Sequence, residues 1–204
     1  MIFANTFERR PTPSPPPSPD RLASFVSEHS VDIAPLRLVW SRPDDRWRHR
    51  IEWIGDHEPR VWAESVEGSS ADEWPPGPVF QDLFVEPKGE DAVEFQLMGQ
   101  CGKTIYTAAV LCDPQRGRIE FDVCARVRRE PPSPGLVSTY RCEPPVRSRE
   151  TQVAGPRFVV NDETGVGGQL APDGRLWTVG RFLPLTVDLV RGTLYRWRYA
   201  IACR

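Results

Sequence analysis

The chain has 204 residues, of which 39% are hydrophobic and 26% charged, and its formal net charge at pH 7 is −2. A chain of this length buries roughly 70% of its unfolded surface when it folds, so neither a disulfide nor a metal is needed to hold it together. No run of about 18 apolar residues is present, and the first residues lack the apolar core of a signal peptide. We therefore expect a cytoplasmic protein with no membrane partner.

The basic residues are almost all arginine, with 24 arginines against 2 lysines. Residues 1–102 hold 10 basic and 18 acidic side chains, whereas residues 103–204 hold 16 and 10. A run of basic residues with interleaved aromatic residues is typical of nucleic-acid binding. The arginines of this chain lie among acidic neighbours and form no such run. We therefore predict no nucleic-acid partner, and the pattern gives no signal for an oligomeric state.

The histidines and cysteines give no sign of a metal or cofactor. The five cysteines are widely spaced and include no C-x-x-C pair, so we predict that they are small apolar filler residues. His57 lies between Asp56 and Glu58, but adjacent side chains in a turn diverge and do not supply the ligands that zinc needs. The sequence predicts no metal site and no cofactor.

The first predicted segment in chain order is a leader over residues 1–20, whose second half contains six prolines. Such a composition is typical of an extended, disordered segment. Asp20 is suited to cap one short helix, with Leu22, Phe25 and Val26 on one side of it. We assign the remaining residues, 21–204, to a single β-domain.

From Leu36 onward apolar residues recur at every second position, as in half-buried strands. The clearest strand has an apolar face and a charged face. The apolar face consists of Trp47, His49, Ile51 and Trp53, and the charged face consists of Arg46, Arg48, Arg50 and Glu52. Further strands are predicted over 60–66, 79–86, 92–98, 104–112, 118–127, 158–160, 176–179, 185–190 and 193–203. A strand over 136–142 lies between proline-rich segments, so we predict it at a sheet edge.

The stretch from Gly99 to Ala108, GQCGKTIYTA, contains the Gly-Lys-Thr ending of a phosphate-binding loop. That loop needs an earlier glycine at position 97, where this chain has Leu97, and a helix after the lysine. The residues that follow are rich in β-branched and aromatic side chains, which favour a strand. We predict that residues 99–103 close a β-hairpin and bind no phosphate.

Many short strands joined by short polar turns indicate an antiparallel meander. The sequence therefore predicts an all-β fold with one short N-terminal helix, and the strands form either a barrel (up-and-down, lipocalin-like in shape) or a two-sheet sandwich. The Gly-x-Trp signature of lipocalins is absent near the first strand, so we assign no family.

The leading functional hypothesis is a binding protein, not an enzyme, that takes a small, partly apolar ligand into an internal cavity. Of the three histidines, only His49 falls on a face predicted to be buried, where an imidazole needs a hydrogen-bond partner or orients a ligand. The predicted cavity residues are His49, Trp47, Trp53, Tyr106, Tyr195, Trp197 and Tyr199.

Two other hypotheses remain open. The first is a protein-interaction or carbohydrate-binding module that acts through exposed tryptophan and arginine, with Trp62, Trp74 and Trp177 as candidate surface residues. The second is an enzyme, although no catalytic motif such as G-x-S-x-G is present and no catalytic residue is predicted. An enclosed cavity at His49 would favour ligand binding, whereas a histidine, an acid and a hydroxyl within hydrogen-bond reach would favour catalysis.

Overall fold

The computed structural model describes residues 28–54, 58–68, 72, 74–127, 135–143, 156–160, 166–182, 192 and 194–203. The predicted leader, the predicted helix after Asp20, His57 and the predicted strand over 185–190 lie outside these residues. Within the described ranges the regular structure is entirely β-strand. These ranges accordingly contain no helix of the length and apolarity that a membrane span requires.

The strands in chain order are β1 (Glu28–Ile33), β2 (Leu36–Ser41), β3 (Arg48–Trp53), β4 (Arg60–Ser65), β5 (Asp82–Lys88), β6 (Ala92–Cys101), β7 (Thr104–Asp113), β8 (Arg118–Arg126), β9 (Gly135–Cys142), β10 (Pro156–Val160), β11 (Gly167–Leu170), β12 (Leu176–Phe182) and β13 (Leu194–Cys203). They form two antiparallel sheets. The first sheet has the order β1-β2-β3-β4-β9-β12-β11, and the second has the order β10-β13-β8-β7-β6-β5.

The described strands form a two-sheet sandwich, and the up-and-down barrel is wrong. β1 to β4 and β5 to β8 are two meanders, one in each sheet, but the chain then returns to the first sheet as β9, beside β4. Among the described strands, each sheet ends in two edge strands and does not close on itself. Alternating apolar residues are common to both architectures, so the sequence pattern alone does not separate them.

The strand predicted at a sheet edge, β9, lies in the interior of the first sheet between β4 and β12. The prolines that suggested an edge are all outside β9, and the strand itself contains none, so both of its sides can donate hydrogen bonds. β1 and β11 are strands that the alternation did not predict, because most of their residues are polar or glycine.

The hairpin predicted at residues 99–103 is confirmed. β6 and β7 pair antiparallel, with Cys101 opposite Thr104, and Gly102 in the turn has a φ of +55°, a conformation that glycine adopts at low cost. Gly99 is needed for another reason. A Cβ at this position would lie 2.3 Å from the carbonyl oxygen of Val79, because the chain leading into β5 crosses β6 here.

One hydrophobic cluster includes inward side chains from both sheets, and the alternation of buried and less buried residues is clear along β7. The charged face predicted for the strand at residues 46–53 is partly wrong. Arg46 is only 4% exposed, and its Nη1 donates to the carbonyl oxygen of Glu67 at 3.2 Å. Glu52 is also buried, next to a bulge between Ile51 and Glu52 that breaks the alternation.

Candidate functional site

A chain of buried hydrogen bonds crosses the interior from one sheet to the other. His49 Nε2 on β3 lies 2.9 Å from the hydroxyl oxygen of Tyr140 on β9, and this oxygen lies 2.6 Å from the hydroxyl oxygen of Tyr199 on β13. β3 and β9 belong to the first sheet and β13 to the second. The sandwich therefore brings together three polar side chains that are distant in sequence.

Ser138 and Trp197 extend this chain. Trp197 Nε1 donates to Ser138 Oγ at 3.1 Å, and Ser138 also forms a side-chain hydrogen bond with Tyr199. Ser138 and Tyr140 are two residues apart on β9, as are Trp197 and Tyr199 on β13, so alternation places each pair on an inward face. We call these five residues (His49, Ser138, Tyr140, Trp197 and Tyr199) the polar network.

A cavity of about 10 Å³ lies beside the polar network, which is room for about one water molecule. Its polar lining comes from His49, Ser65, Glu67, Ser138, Thr139, Tyr140 and Tyr199. Its apolar lining includes Trp40, Phe80, Ala108, Phe121 and Val123. Both sheets and the connection from β4 to β5 thus contribute to the lining of one small cavity.

Three buried polar atoms of the lining residues have no hydrogen-bond partner among the described residues. They are Trp40 Nε1, His49 Nδ1 and Glu67 Oε2. A buried polar atom without a partner is rare in folded proteins and is costly, because water no longer solvates it. An occupant of the cavity that forms hydrogen bonds with these atoms would remove that cost.

Glu67 is a buried carboxyl group in the connection between β4 and β5. Burial raises the pKa of this group from 4.5 to about 7, and this effect exceeds the opposite effects of the Ser65 hydrogen bond and of the positive charges on Arg48 and Arg46. Glu67 is therefore partly protonated near neutral pH. It can accept a hydrogen bond in one state and donate one in the other.

Burial has the opposite consequence for His49, whose pKa falls from 6.5 to about 3. The imidazole is therefore neutral at physiological pH. Burial also raises the pKa values of Tyr140 and Tyr199 above the ordinary value for tyrosine. A general acid or base works best with a pKa near the operating pH, so these three groups are suited to hydrogen bonding and poorly suited to proton transfer.

A histidine, an acid and hydroxyl groups do converge at this cavity. The imidazole of His49 is bonded to Tyr140, whereas the carboxyl group of Glu67 is bonded to Ser65, whose Oγ also accepts from the backbone N–H of His49 at 3.0 Å. Nucleophilic catalysis needs the base within hydrogen-bond reach of the nucleophile, and among the described residues the hydroxyl bonded to the imidazole of His49 belongs to a tyrosine. The described residues also contain no group of three or more His, Cys, Asp or Glu side chains placed to hold a metal ion.

The structure brings together only part of the predicted cavity set. His49 and Tyr199 line the cavity, and Trp197 belongs to the polar network through its hydrogen bond to Ser138, which also lines the cavity. The other four predicted residues pack into or against the hydrophobic cluster without lining the cavity, namely Trp47, Trp53, Tyr106 and Tyr195.

The three tryptophans of the alternative hypothesis are not exposed side by side. Trp62 and Trp177 are 5% and 8% exposed, and Trp74 is partly buried against the core. The ring of Phe158 stacks on Trp177 at 3.6 Å between centroids and lies 5.0 Å from Trp62. The indole rings of Trp62 and Trp177 thus pack against the same phenylalanine.

The sequence analysis did not single out Glu67, Ser138 or Tyr140. Glu67 lies in a polar segment before Gly68 that resembles an ordinary solvated loop. Ser138 and Tyr140 alternate with Leu136 in the predicted strand over 136–142, and that alternation is the signal that places them on the inward face.

The fold and the site define an all-β sandwich with a polar network and a small cavity in its interior. Comparisons with protein-family models, with curated proteins and with solved structures find no match for this chain.

Proposed function

We propose that the protein binds a small, partly apolar molecule in the cavity beside His49, Glu67 and Tyr199, with no catalytic step of its own. The observation that supports this proposal is that three residues lining one small cavity each have a buried polar atom without a partner among the described residues. Ligand sites typically combine an apolar lining with a few convergent polar groups. A ligand with a polar head supplies the missing partners, and its apolar part packs against Phe80 and Phe121.

The size of the cavity restricts the ligand. A volume of about 10 Å³ holds one water-sized group, so a larger molecule requires the lining side chains to shift. Protein cores are close-packed and resist such shifts. The proposal therefore favours ligands of a few heavy atoms over long fatty acids, haem or glycans.

Thermal unfolding and tryptophan fluorescence test the proposal. The panel consists of short alcohols, amides, amines and carboxylic acids, with a fatty acid, haem and a glycan for comparison. A ligand at a hundred times its Kd adds about 2.7 kcal/mol to the free energy of unfolding, which raises Tm by several degrees, and Trp40 in the cavity wall reports its binding. Unchanged Tm and fluorescence with every compound would overturn the proposal.

A pair of matched variants tests the location. Ala108→Val adds two methyl groups to a residue that lines the cavity, whereas Ala125→Val adds them to a buried alanine on the neighbouring strand, outside the lining. Both changes overpack the core, at a cost of about 1 to 3 kcal/mol. Only Ala108→Val is expected to abolish binding, and equal affinity in the two variants would place the ligand elsewhere.

A further inference from the structure

The second sheet has one face toward the core and one face away from it. On β7, Tyr106 and Ala108 are buried, whereas Thr107 between them is exposed. The same alternation on the neighbouring strands defines the second face, which we call the outer face and which extends from β13 through β8, β7 and β6 to β5. All described strands belong to the two sheets, so none of them covers the outer face. One row of cross-strand neighbours on it consists of Arg198, Asp122, Ala109, Gln96 and Phe84.

Two arginines share one carboxylate at the β13 side of the outer face. Arg196 and Arg198 both form ion pairs with Asp122, whose Oδ2 lies 2.9 Å from Arg198 Nη2. The side chains of both arginines are about half exposed. Two guanidinium groups and one carboxylate leave this group of three residues, the basic cluster, with one positive charge in excess.

The opposite arrangement lies at the β5 side. Lys88 Nζ lies 2.9 Å from Glu86 Oε2 and 3.4 Å from Glu94 Oε1. Two carboxylates and one ammonium group leave these three residues, the acidic cluster, with one negative charge in excess. Arg118 and Glu120, on the same face, form an ion pair with each other and add no net charge. The two clusters lie on opposite sides of β7, so the outer face carries net charges of opposite sign on its two sides.

The outer face also has a protrusion and a depression next to each other. Phe84 on β5 and Met98 on β6 are 62% and 48% exposed. Between these two side chains and the basic cluster, the small residues Thr107, Ala109 and Cys124 line a depression of about 420 Å³. Large apolar side chains beside a hollow of small residues make a surface whose shape complements a second copy of itself.

We propose that the outer face binds the outer face of a second copy of this chain and forms a dimer with two-fold symmetry. In such a contact each patch meets the complementary patch of the other copy. A two-fold axis near β7 places the basic cluster of each chain opposite the acidic cluster of the other, so the excess charges attract at two places. The same rotation places Phe84 and Met98 of each chain over the depression and the basic cluster of the other, where a guanidinium group can also stack on the phenylalanine ring.

The area of the outer face is consistent with a dimer that dissociates. Its five strands have 7 to 10 residues, and at the usual rise and spacing of strands they span roughly 30 Å by 20 Å. A contact of this size buries roughly 1,200 Å² in total, which lies at the lower end of the range for specific interfaces. We therefore expect a monomer–dimer equilibrium in the micromolar range, since small interfaces with exposed charges bind weakly.

Sedimentation equilibrium of the full chain from about 1 µM to about 200 µM tests the proposal, because a dimer with a micromolar Kd dissociates within this range. The average mass should rise from that of one chain toward that of two. Phe84→Lys removes an apolar contact and places a positive charge opposite the basic cluster of the other chain, so it should raise the Kd about tenfold or more. Leu176→Lys is the matched control, because Leu176 is an exposed apolar residue on the first sheet. This variant should dimerise like the native chain.

Reciprocal charge reversals test the orientation of the two copies. Arg196→Glu gives the basic cluster a negative net charge, and Glu86→Lys gives the acidic cluster a positive one. Each variant alone places like charges opposite each other at both contacts and should raise the Kd about tenfold. In an equimolar mixture of the two variants both contacts again join opposite charges, so the mixture should dimerise like the native chain. Both side chains are about half exposed, so the variants should fold, which urea unfolding checks.

Three results would each overturn the inference. They are a native chain that stays monomeric up to about 200 µM, a Phe84→Lys variant that dimerises as tightly as the native chain, and a mixture of the two charge variants that dimerises no more tightly than either one alone. A dimer that only Leu176→Lys weakens would place the contact on the first sheet and would also overturn it. None of these results bears on ligand binding, because the cavity beside His49 lies between the sheets.

Discussion

Glu67 and His49 lie at the same cavity, and burial shifts their pKa values in opposite directions. The pKa of Glu67 is raised from 4.5 to about 7, so its contribution to stability is present below pH 4.5 and is lost as pH rises to 7. The pKa of His49 is lowered from 6.5 to about 3, so its contribution is present above pH 6.5 and is lost as pH falls to 3. Between pH 4.5 and 6.5 the two effects oppose each other and largely cancel.

Replacing Glu67 by glutamine removes one of the two effects. Relative to the native protein, the free energy of unfolding of Glu67→Gln should increase by about 3 kcal/mol between pH 4.5 and pH 7, because the native protein loses this amount by ionising a buried carboxyl group. Urea unfolding at several pH values measures the difference in free energy of unfolding between the variant and the native protein. The contributions of all other titrating groups are the same in both proteins and cancel. A difference that is constant with pH would show that the pKa of Glu67 is not raised.

His49 and its partner Tyr140 also show which residues of the site the sequence can predict and which it cannot. His49 was identified because an imidazole on an apolar face needs a partner, and this reasoning uses only neighbours along the chain. Tyr140, its actual partner, is 91 residues away. No local pattern links two such residues, so the pairing of His49 with Tyr140 was not predictable.

At the scale of elements, the hairpin of β6 and β7 shows what local sequence determines. Its two strands follow from alternation and side-chain type, and its turn follows from a glycine at positive φ. Gly99, which belongs to the same short stretch, is a glycine for a reason outside the hairpin. The segment at Val79 and Phe80 crosses directly over it, and the sequence of the hairpin contains no sign of this contact.

Two alanine substitutions in this stretch are expected to differ. Gly99→Ala places a Cβ 2.3 Å from a backbone oxygen, which neighbouring backbone must move to relieve, so we expect a loss of about 3 kcal/mol or more. Gly102→Ala meets no atom within 4 Å and is strained only by its positive φ, at a cost of about 1 to 2 kcal/mol. Denaturant unfolding compares the two, and equal losses would contradict the crossing.

At the scale of the whole molecule, the polar network connects the two sheets through hydrogen bonds as well as through apolar packing. Removal of the hydroxyl from either Tyr140 or Tyr199 leaves the other without its partner, whereas removal of both eliminates the pair. In a double-mutant cycle of Tyr140→Phe and Tyr199→Phe we expect a coupling free energy of about 1 kcal/mol.

The matched cycle combines Tyr140→Phe with Tyr106→Phe, a buried tyrosine on the second sheet outside the polar network. Its coupling free energy should be close to zero, because Tyr106 is not a hydrogen-bond partner of Tyr140 and sites with no shared partner are close to additive. If both cycles give the same coupling, the hydrogen bond between Tyr140 and Tyr199 does not join the sheets as described.

The amino-acid sequence by itself determined the all-β class, most strand positions from residue 36 onward and the hairpin at residues 99–103, because these depend on alternation and turn chemistry within a few residues. The tertiary structure decided that two sheets stack instead of closing into a barrel, that β9 lies inside a sheet, and that Glu67, Tyr140 and Tyr199 line the same cavity as His49. These features depend on contacts between residues that are far apart in the sequence, such as the 91 residues between His49 and Tyr140. Each strand has the same alternating pattern of side chains, so the pattern does not specify its partner. Only packing of the complete core selects among those partners.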